Sequence, residues 1–242
     1  MRYWLVMPAA GAGTRFGAAT PKQYAPLAGR TLIEWALAPF LGDPRCAEVV
    51  VALAADDGIW AQLSLQNPAP AGPRLRTVKG GAQRSLSVRA ALQGLAGRAA
   101  DKDWVLVHDA ARPCLARTDL ERLIDAVTSH AIGGLLAVRA ADTLKRATED
   151  KAGVTRVAQT VDRAGLWRAL TPQMFRYAPL CAALDAAHAA GRFPTDEAQA
   201  LEWQGAQPLL VEGRASNLKV TTADELLLAA ALLGAAAGEG VA

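Results

Sequence analysis

Residues 3–24 read YWLVMPAAGAGTRFGAATPKQY. The apolar run Tyr3–Met7 is the composition of a strand covered on both faces. It passes into a loop, Pro8 to Tyr24, whose Gly11, Gly13 and Gly17 let the backbone turn tightly and approach a ligand without side-chain clash. Backbone N–H groups bared in such a turn form a nest for phosphate oxygens. Arg15 and Lys22 stand in the same stretch, and a glycine turn carrying two cations suits a triphosphate better than a neutral ligand. The bland alternative is a strand-to-helix turn with two solvated cations, and the loop by itself barely decides between them.

Two familiar phosphate loops are excluded. Gly11-x-Gly13 opens like the dinucleotide fingerprint, but Phe16 stands where its third glycine belongs, and no acidic residue follows a second strand at the required spacing. The ATPase loop needs Gly-Lys-Ser/Thr, whereas Gly17 is followed by AATPK.

A chain of 242 residues can bury a sizeable core. Its net charge of +3, without a Lys/Arg cluster and with 5% aromatic residues, argues against a nucleic-acid groove and leaves room for a small anionic substrate. Cys46, Cys114 and Cys181 lie far apart, and with three scattered His they form no zinc pattern. A reducing cytoplasm fits that usage. The apolar start is too short for a leader, and LLLAAALLGAAA near the C-terminus is too short to span a bilayer, so it reads as a docked helix.

Working outward, helical and strand patterns alternate. Thr31-x-x-Glu34 is a capping box opening a helix that ends near Gly42. Glu48–Leu53 is a buried strand, Asp56–Gln66 a helix, Leu75–Val78 a short strand, and Gly80 begins a second glycine turn into a helix. Trp104–Val107 is a strand ending at His108-Asp109; Thr118-x-x-Glu121 is a second capping box; Gly134–Val138 is another strand. Tyr177–Ala190 and a segment from Thr195 to Trp203 are helical, Gln207–Val211 is a strand, and Thr222-x-x-Glu225 caps the last helix. This alternation predicts an α/β fold: three layers, a mostly parallel Rossmann-like sheet, with ligands beyond the carboxyl ends of its strands. Residues 1–242 read as a single domain. Residues 139–163 break the rhythm: their flanks, Asp142–Arg146 and Val154–Val161, are expected to pair as a protruding β-arm, which buries little of itself and therefore leans on a partner, a second subunit being the obvious one.

The segment His108–Pro113, HDAARP, places a carboxylate at a strand end, where one or two carboxylates plus phosphate oxygens hold Mg²⁺. Arg112 has the fork to grip a phosphate; an Asp109–Arg112 ion pair is the structural alternative. His108 has no evident nucleophile to serve and reads as a packed or hydrogen-bonding residue.

Seven segments, PAAGAGTRFG…PKQY, GGAQRSLSV, VLVHDAARP, TVDR, ALTPQ, TDEA and EGRASNLKVT, occur in one order along nearly the whole chain. Together they resemble the 2-C-methyl-D-erythritol 4-phosphate cytidylyltransferases, nucleotidyltransferases of the non-mevalonate isoprenoid pathway. The resemblance implies transfer of CMP from CTP to methylerythritol phosphate, with Mg²⁺, in a homodimer joined through the β-arm. It places Ala9, Ala10, Gly11, Gly13, Arg15 and Lys22 around the triphosphate, Arg15 and Lys22 stabilising charge at the α-phosphate. It places Gly81 and Ser87 at the base and ribose, Asp109 at the metal, and Arg112, Thr143, Arg163, Thr171 and Lys219 around the acceptor. Ala82 departs from the family, which often has an acidic residue there, so only a backbone contact is expected at that position.

The implied reaction needs no general base, because a phosphate monoester with a second pKa of about 6 is already ionised at neutral pH. Consistently, no Ser-His-Asp or Cys-His arrangement is visible. Two other readings remain open: a ribitol 5-phosphate cytidylyltransferase, with the same chemistry, and a non-catalytic nucleotide-binding protein.

Overall fold

A computed structural model describes residues 1–11, 20–63, 65, 72–149 and 153–239. The chain opens with β1 (Tyr3–Ala9), a small ribbon of β2 (Pro26–Leu27) and β3 (Arg30–Thr31), α1 (Leu32–Leu41) and β4 (Cys46–Leu53). It continues through β5 (Arg74–Lys79), α2 (Arg84–Gln93), β6 (Trp104–Val107), α3 (Arg117–Thr128) and β7 (Gly133–Arg139). Then come β8 (Leu144–Glu149), β9 (Thr155–Val161), β10 (Trp167–Arg176), α4 (Tyr177–Ala189), α5 (Glu197–Glu202), β11 (Leu209–Glu212) and α6 (Ala223–Glu239).

Seven strands form one sheet in the order β11-β7-β10-β6-β1-β4-β5. β10 is antiparallel to both neighbours and the remaining pairs are parallel. The mostly parallel α/β sheet is therefore the observed architecture. The central strands are apolar on both faces because each face is covered. Leu5, Met7, Val49, Val51 and Leu106 meet Ile33, Leu37 and Phe40 of α1 and Leu120, Leu123 and Val127 of α3. Alternate residues Val6, Val50, Ala52, Val105 and Val107 meet Val88 and Leu92 of α2 and Leu180 and Leu184 of α4. Each fully buried Val, Leu, Ile, Met or Phe among them contributes roughly 1.5–3 kcal/mol.

The capping box at Thr31 is formed: the Thr31 N–H donates to Glu34 Oε2 at 2.7 Å. At the last helix Glu225 Oε2 accepts from the N–H groups of Thr221 and Thr222. The expected box at Thr118 is not; α3 begins at Arg117 with Ala116 as its cap, and Glu121 instead pairs with Arg117 at 3.0 Å. Nor is there a full helix after Asp56: the described part is a 3-10 turn, Trp60–Gln62. Asp57 Oδ1 accepts from the N–H groups of Ile59 and Trp60, an alternative to helical bonding.

Within the seven-stranded sheet, β10 is the strand the sequence does not announce. Pro172 lies within it, and the pairing with β7 slips between Ala169 and Gln173. A proline cannot donate to the ladder, so it demotes a run that reads as a strand.

The β-arm is formed. β8 and β9 pair antiparallel, outside the main sheet, and every β8 residue is exposed. Lys145 Nζ donates to Thr160 Oγ1 across it at 2.7 Å. Its base is closed by the Ala140 N–H donating to Leu166 O at 3.0 Å and by Arg139 stacked over Trp167. Among the described residues no helix is long and apolar enough to cross a membrane.

Candidate active site

Three strand ends converge. Ala9 closes β1, Gly80 and Gly81 follow β5, and His108-Asp109 follow β6, all at carboxyl ends of parallel strands. Between them lies a cavity of about 300 Å³ whose wall includes Ala9, Ala10, Gly11, Lys22, Gly81, Ser87, Asp109 and Lys219. Eight of the residues singled out in the sequence thus meet in one place. Gly13 and Arg15 lie outside the described residues.

Local bonding explains how the wall is held. Gln23 Nε2 donates to Ala9 O at 2.9 Å, tying the loop's far end back to β1. Lys22 Nζ donates to Val220 O at 3.0 Å, and the Val220 N–H donates to Ala111 O at 2.8 Å, which brings the segment before α6 against the loop after β6. Ser87 Oγ accepts from the Gly81 N–H at 3.1 Å and so shapes the second glycine turn. That turn needs glycine: a Cβ on Gly80 would stand 2.5 Å from Ala10 Cβ and 2.9 Å from Ser87 Oγ.

Asp109 is the electrostatic centre, only 6% exposed. Arg84 Nε donates to its Oδ1 at 2.8 Å, Lys219 Nζ lies 2.8 Å from its Oδ2, and Arg112 Nε is 3.9 Å away. Burial pushes its carboxyl up, but Arg84, Lys219 and Arg112 together outweigh that and hold it well below the usual carboxylate range.

His108 is fully buried and packs against Phe40, the rings tilted by 55° with centroids 5.2 Å apart. Its Nε2 faces Arg112 O at 3.1 Å and its Nδ1 faces Thr171 Oγ1 at 3.0 Å, while the Asp109 N–H donates to the same Thr171 oxygen. A carbonyl can only accept, so Nε2 carries the proton and the Thr171 hydroxyl donates to Nδ1. Burial pushes the imidazole down to about 4. Both nitrogens are occupied, and His108 is a packing and hydrogen-bonding residue that orders the turn carrying Asp109.

The five residues grouped around the acceptor divide. Lys219 is on the cavity wall. Thr171 acts on the Asp109 backbone, and Arg112, 7% exposed, donates to Asn217 O at 2.7 Å, with Nε left without a hydrogen bond. Thr143 and Arg163 are exposed at the base of the β-arm, where Arg163 Nη1 donates to Ala141 O, and neither lines this cavity.

Two residues of the site escape the sequence reading. Arg84, on the cavity wall, reaches from α2 to Asp109 and also binds Glu197, with Nη1 2.7 Å from Oε1 and Nη2 3.2 Å from Oε2. Glu197 is 1% exposed at the start of α5. Both stand in segments that carried the resemblance, GGAQRSLSV and TDEA. Nothing else in the sequence set these two apart from the other charged residues around them.

Among known proteins, residues 3–235 match the family model described as 2-C-methyl-D-erythritol 4-phosphate cytidylyltransferase. The enzyme of that name from Halorhodospira halophila is 54% identical, over 97% of this chain and 95% of its own length. A crystal structure of 4-diphosphocytidyl-2C-methyl-D-erythritol synthase superimposes with a TM-score of 0.80 at 36% identity, covering 96% of this chain and 98% of that one. The Francisella tularensis 2-C-methyl-D-erythritol 4-phosphate cytidylyltransferase gives 0.77 at 33% identity, covering 96% and 100%. The match spans the whole sheet and both glycine turns, and the chain belongs to the 2-C-methyl-D-erythritol 4-phosphate cytidylyltransferase family.

Proposed function

We propose that this chain transfers CMP from CTP to the phosphate of 2-C-methyl-D-erythritol 4-phosphate, giving 4-diphosphocytidyl-2-C-methyl-D-erythritol and pyrophosphate. The observation that carries the reading is the meeting of Lys22, Asp109 and Lys219, from three separate stretches, on one cavity at the strand ends of a chain from this family.

A phosphate oxygen of the acceptor attacks the α-phosphorus of CTP, the bond to the α–β bridging oxygen breaks, and pyrophosphate leaves. The acceptor is ionised at neutral pH, so the obstacle is bringing one anion against another. Lys22 and Arg15 neutralise charge at the α-phosphate, and Lys219, Arg112, Arg163, Thr143 and Thr171 gather and align the acceptor. Catalysis is then positioning and charge stabilisation. Ala9, Ala10, Gly11 and Gly13 cradle the triphosphate through their backbone, with Gly81 and Ser87 beside the nucleoside.

Asp109 is the residue for Mg²⁺. Among the described residues no group of three or more His, Cys, Asp or Glu is placed to hold a metal, which disfavours an all-protein cage. A single carboxylate on the wall of a cavity of about 300 Å³ fits Mg²⁺, which takes one or two carboxylates and completes its shell with phosphates and water. When bound, the ion supplies charge neutralisation on the triphosphate.

Residues 1–242 act as one nucleotidyltransferase domain, and residues 139–163 dock a second copy, so that Arg163 serves the partner's site. The exposed, self-paired arm supports this. Three free cysteines accord with a reducing cytoplasm.

Pyrophosphate release with CTP, UTP, GTP and ATP, each against methylerythritol phosphate and ribitol 5-phosphate, tests the reading. CTP with methylerythritol phosphate is expected to dominate by kcat/KM. Preference for ribitol 5-phosphate, or nucleotide binding without pyrophosphate release, would replace it.

A further inference from the structure

Arg84 is shared between two buried carboxylates. Its Nη1 donates to Glu197 Oε1 at 2.7 Å and its Nε to Asp109 Oδ1 at 2.8 Å, while Nη2 stands between the two, 3.2 Å from Glu197 Oε2 and 2.8 Å from Asp109 Oδ1. Its contacts with Asp109 are confined to that one oxygen, and Oδ2 is left to Lys219, itself 40% exposed and able to turn away. Glu197 is the more rigid member. It is 1% exposed at the first position of α5, the Asp196 carboxylate caps that helix through the Gln199 N–H, and Gln173 bonds both Asp196 and the Ala198 N–H.

An arginine prefers to grip a carboxylate through two parallel N–H bonds. Here Nη1 is held by Glu197 and Nη2 is shared with it, so Arg84 meets Asp109 at one oxygen only. Released from Glu197, Arg84 has the donors to take both oxygens of Asp109, expelling Lys219 and closing the carboxylate to any other cation. We propose that Glu197 is a positioning residue: by holding Nη1 of Arg84 and sharing its Nη2, it keeps the guanidinium on one oxygen of Asp109 and Oδ2 exchangeable, so that the carboxylate is available to a divalent cation. This rests on the reading of Asp109 as the Mg²⁺ ligand.

Removing the charge of Glu197 therefore strengthens the Arg84–Asp109 pair at the cation's expense. In Glu197→Gln the Mg²⁺ concentration for half-maximal rate is expected to rise about tenfold, the scale on which partners of metal ligands act, with kcat at saturating Mg²⁺ largely recovered. Titration with Mn²⁺, followed by electron paramagnetic resonance on enzyme saturated with a non-hydrolysable CTP analogue, should weaken by the same factor without any turnover. The effect should vanish when Glu197→Gln is placed on an Arg84→Gln background, because the coupling runs through Arg84. If Glu197→Gln melts below assay temperature, Glu197→Asp is titrated instead; it keeps the charge with a shorter reach, and a weakened Mn²⁺ affinity is again expected.

An unchanged or tighter Mn²⁺ affinity, or a fall in kcat at every Mg²⁺ concentration with an unchanged half-saturating value, would overturn the proposal. Wild-type protein that fails to release pyrophosphate overturns the function instead. Normal wild-type turnover with an unshifted Glu197 variant overturns only the role of Glu197.

Discussion

Lys219 Nζ stands 2.8 Å from Asp109 Oδ2, joining the loop after β6 to the segment that leads into α6. Together with Arg84 it gives a buried carboxylate a cation at each oxygen. Removal of one partner from such a group leaves the others uncompensated. Asp109→Asn is expected to destabilise the fold by about 3 kcal/mol, the low end for broken buried pairs, because Lys219 is partly exposed and can turn to solvent. Urea denaturation measures this. Activity should fall too, without recovery at high Mg²⁺.

Lys22, which opens a 3-10 turn at Lys22–Tyr24, lies on the same cavity wall as Asp109 and donates to Val220 O. If Lys22 neutralises the α-phosphate as proposed, Lys22→Ala removes one preorganised charge and should lower kcat by about 10²–10³-fold. Circular dichroism should show an intact fold. Near-normal turnover of the purified variant would sink its assignment.

Gly80 lets the turn after β5 press against Ala10 and Ser87. Gly80→Ala places a methyl 2.5 Å from Ala10 Cβ, so either the segment after β1 or the second glycine turn must move. Expected consequences are about 1–3 kcal/mol of lost stability and a raised KM for CTP. Gly42→Ala, whose Cβ would meet only Ala38 O at 3.7 Å, is the control and should leave KM unchanged.

Asp43, 2% exposed, accepts from the Tyr3 hydroxyl at 3.0 Å and from the Arg45 side chain at 2.8 and 2.9 Å. Burial pushes its carboxyl up, but the Arg45 and Tyr3 hydrogen bonds prevail and hold it below the usual value. A folded pKa below the unfolded one stabilises above about pH 4 and is lost as pH falls through the folded value. Asp43→Asn should cost about 2 kcal/mol at pH 7, the scale of a charged hydrogen bond. The gap from wild type should narrow as pH drops from 5 towards 3. A gap independent of pH would exclude the ionic part of this account.

Every β8 residue is exposed, and the arm contributes little to the core it leaves. Replacing residues 144–161 with a short Gly-Ser turn should therefore preserve the melting temperature of the domain while shifting sedimentation to a monomer. An unchanged dimer would place the interface elsewhere.

Much of this molecule was readable from local pattern. Apolar runs such as Glu48–Leu53 bury on both faces, the Thr31 and Thr222 caps satisfy backbone groups within one turn, and Asp109 sits where a buried strand ends; each depends only on neighbours in sequence. The misreadings were also local. Asp57 bonded its own backbone in place of a helix, Ala116 displaced Thr118 as a cap, and Pro172 concealed β10. What no local pattern contains is which distant charges share a carboxylate. Arg84 and Glu197 are 113 residues apart and meet because α2 and α5 pack on the same face of the sheet. The sequence by itself determined the alternation of elements and the chemistry of the loops at their ends. The tertiary structure alone decided that Glu197 divides the hold of Arg84 on Asp109, since burial there forces each charge to find its partner from the whole chain.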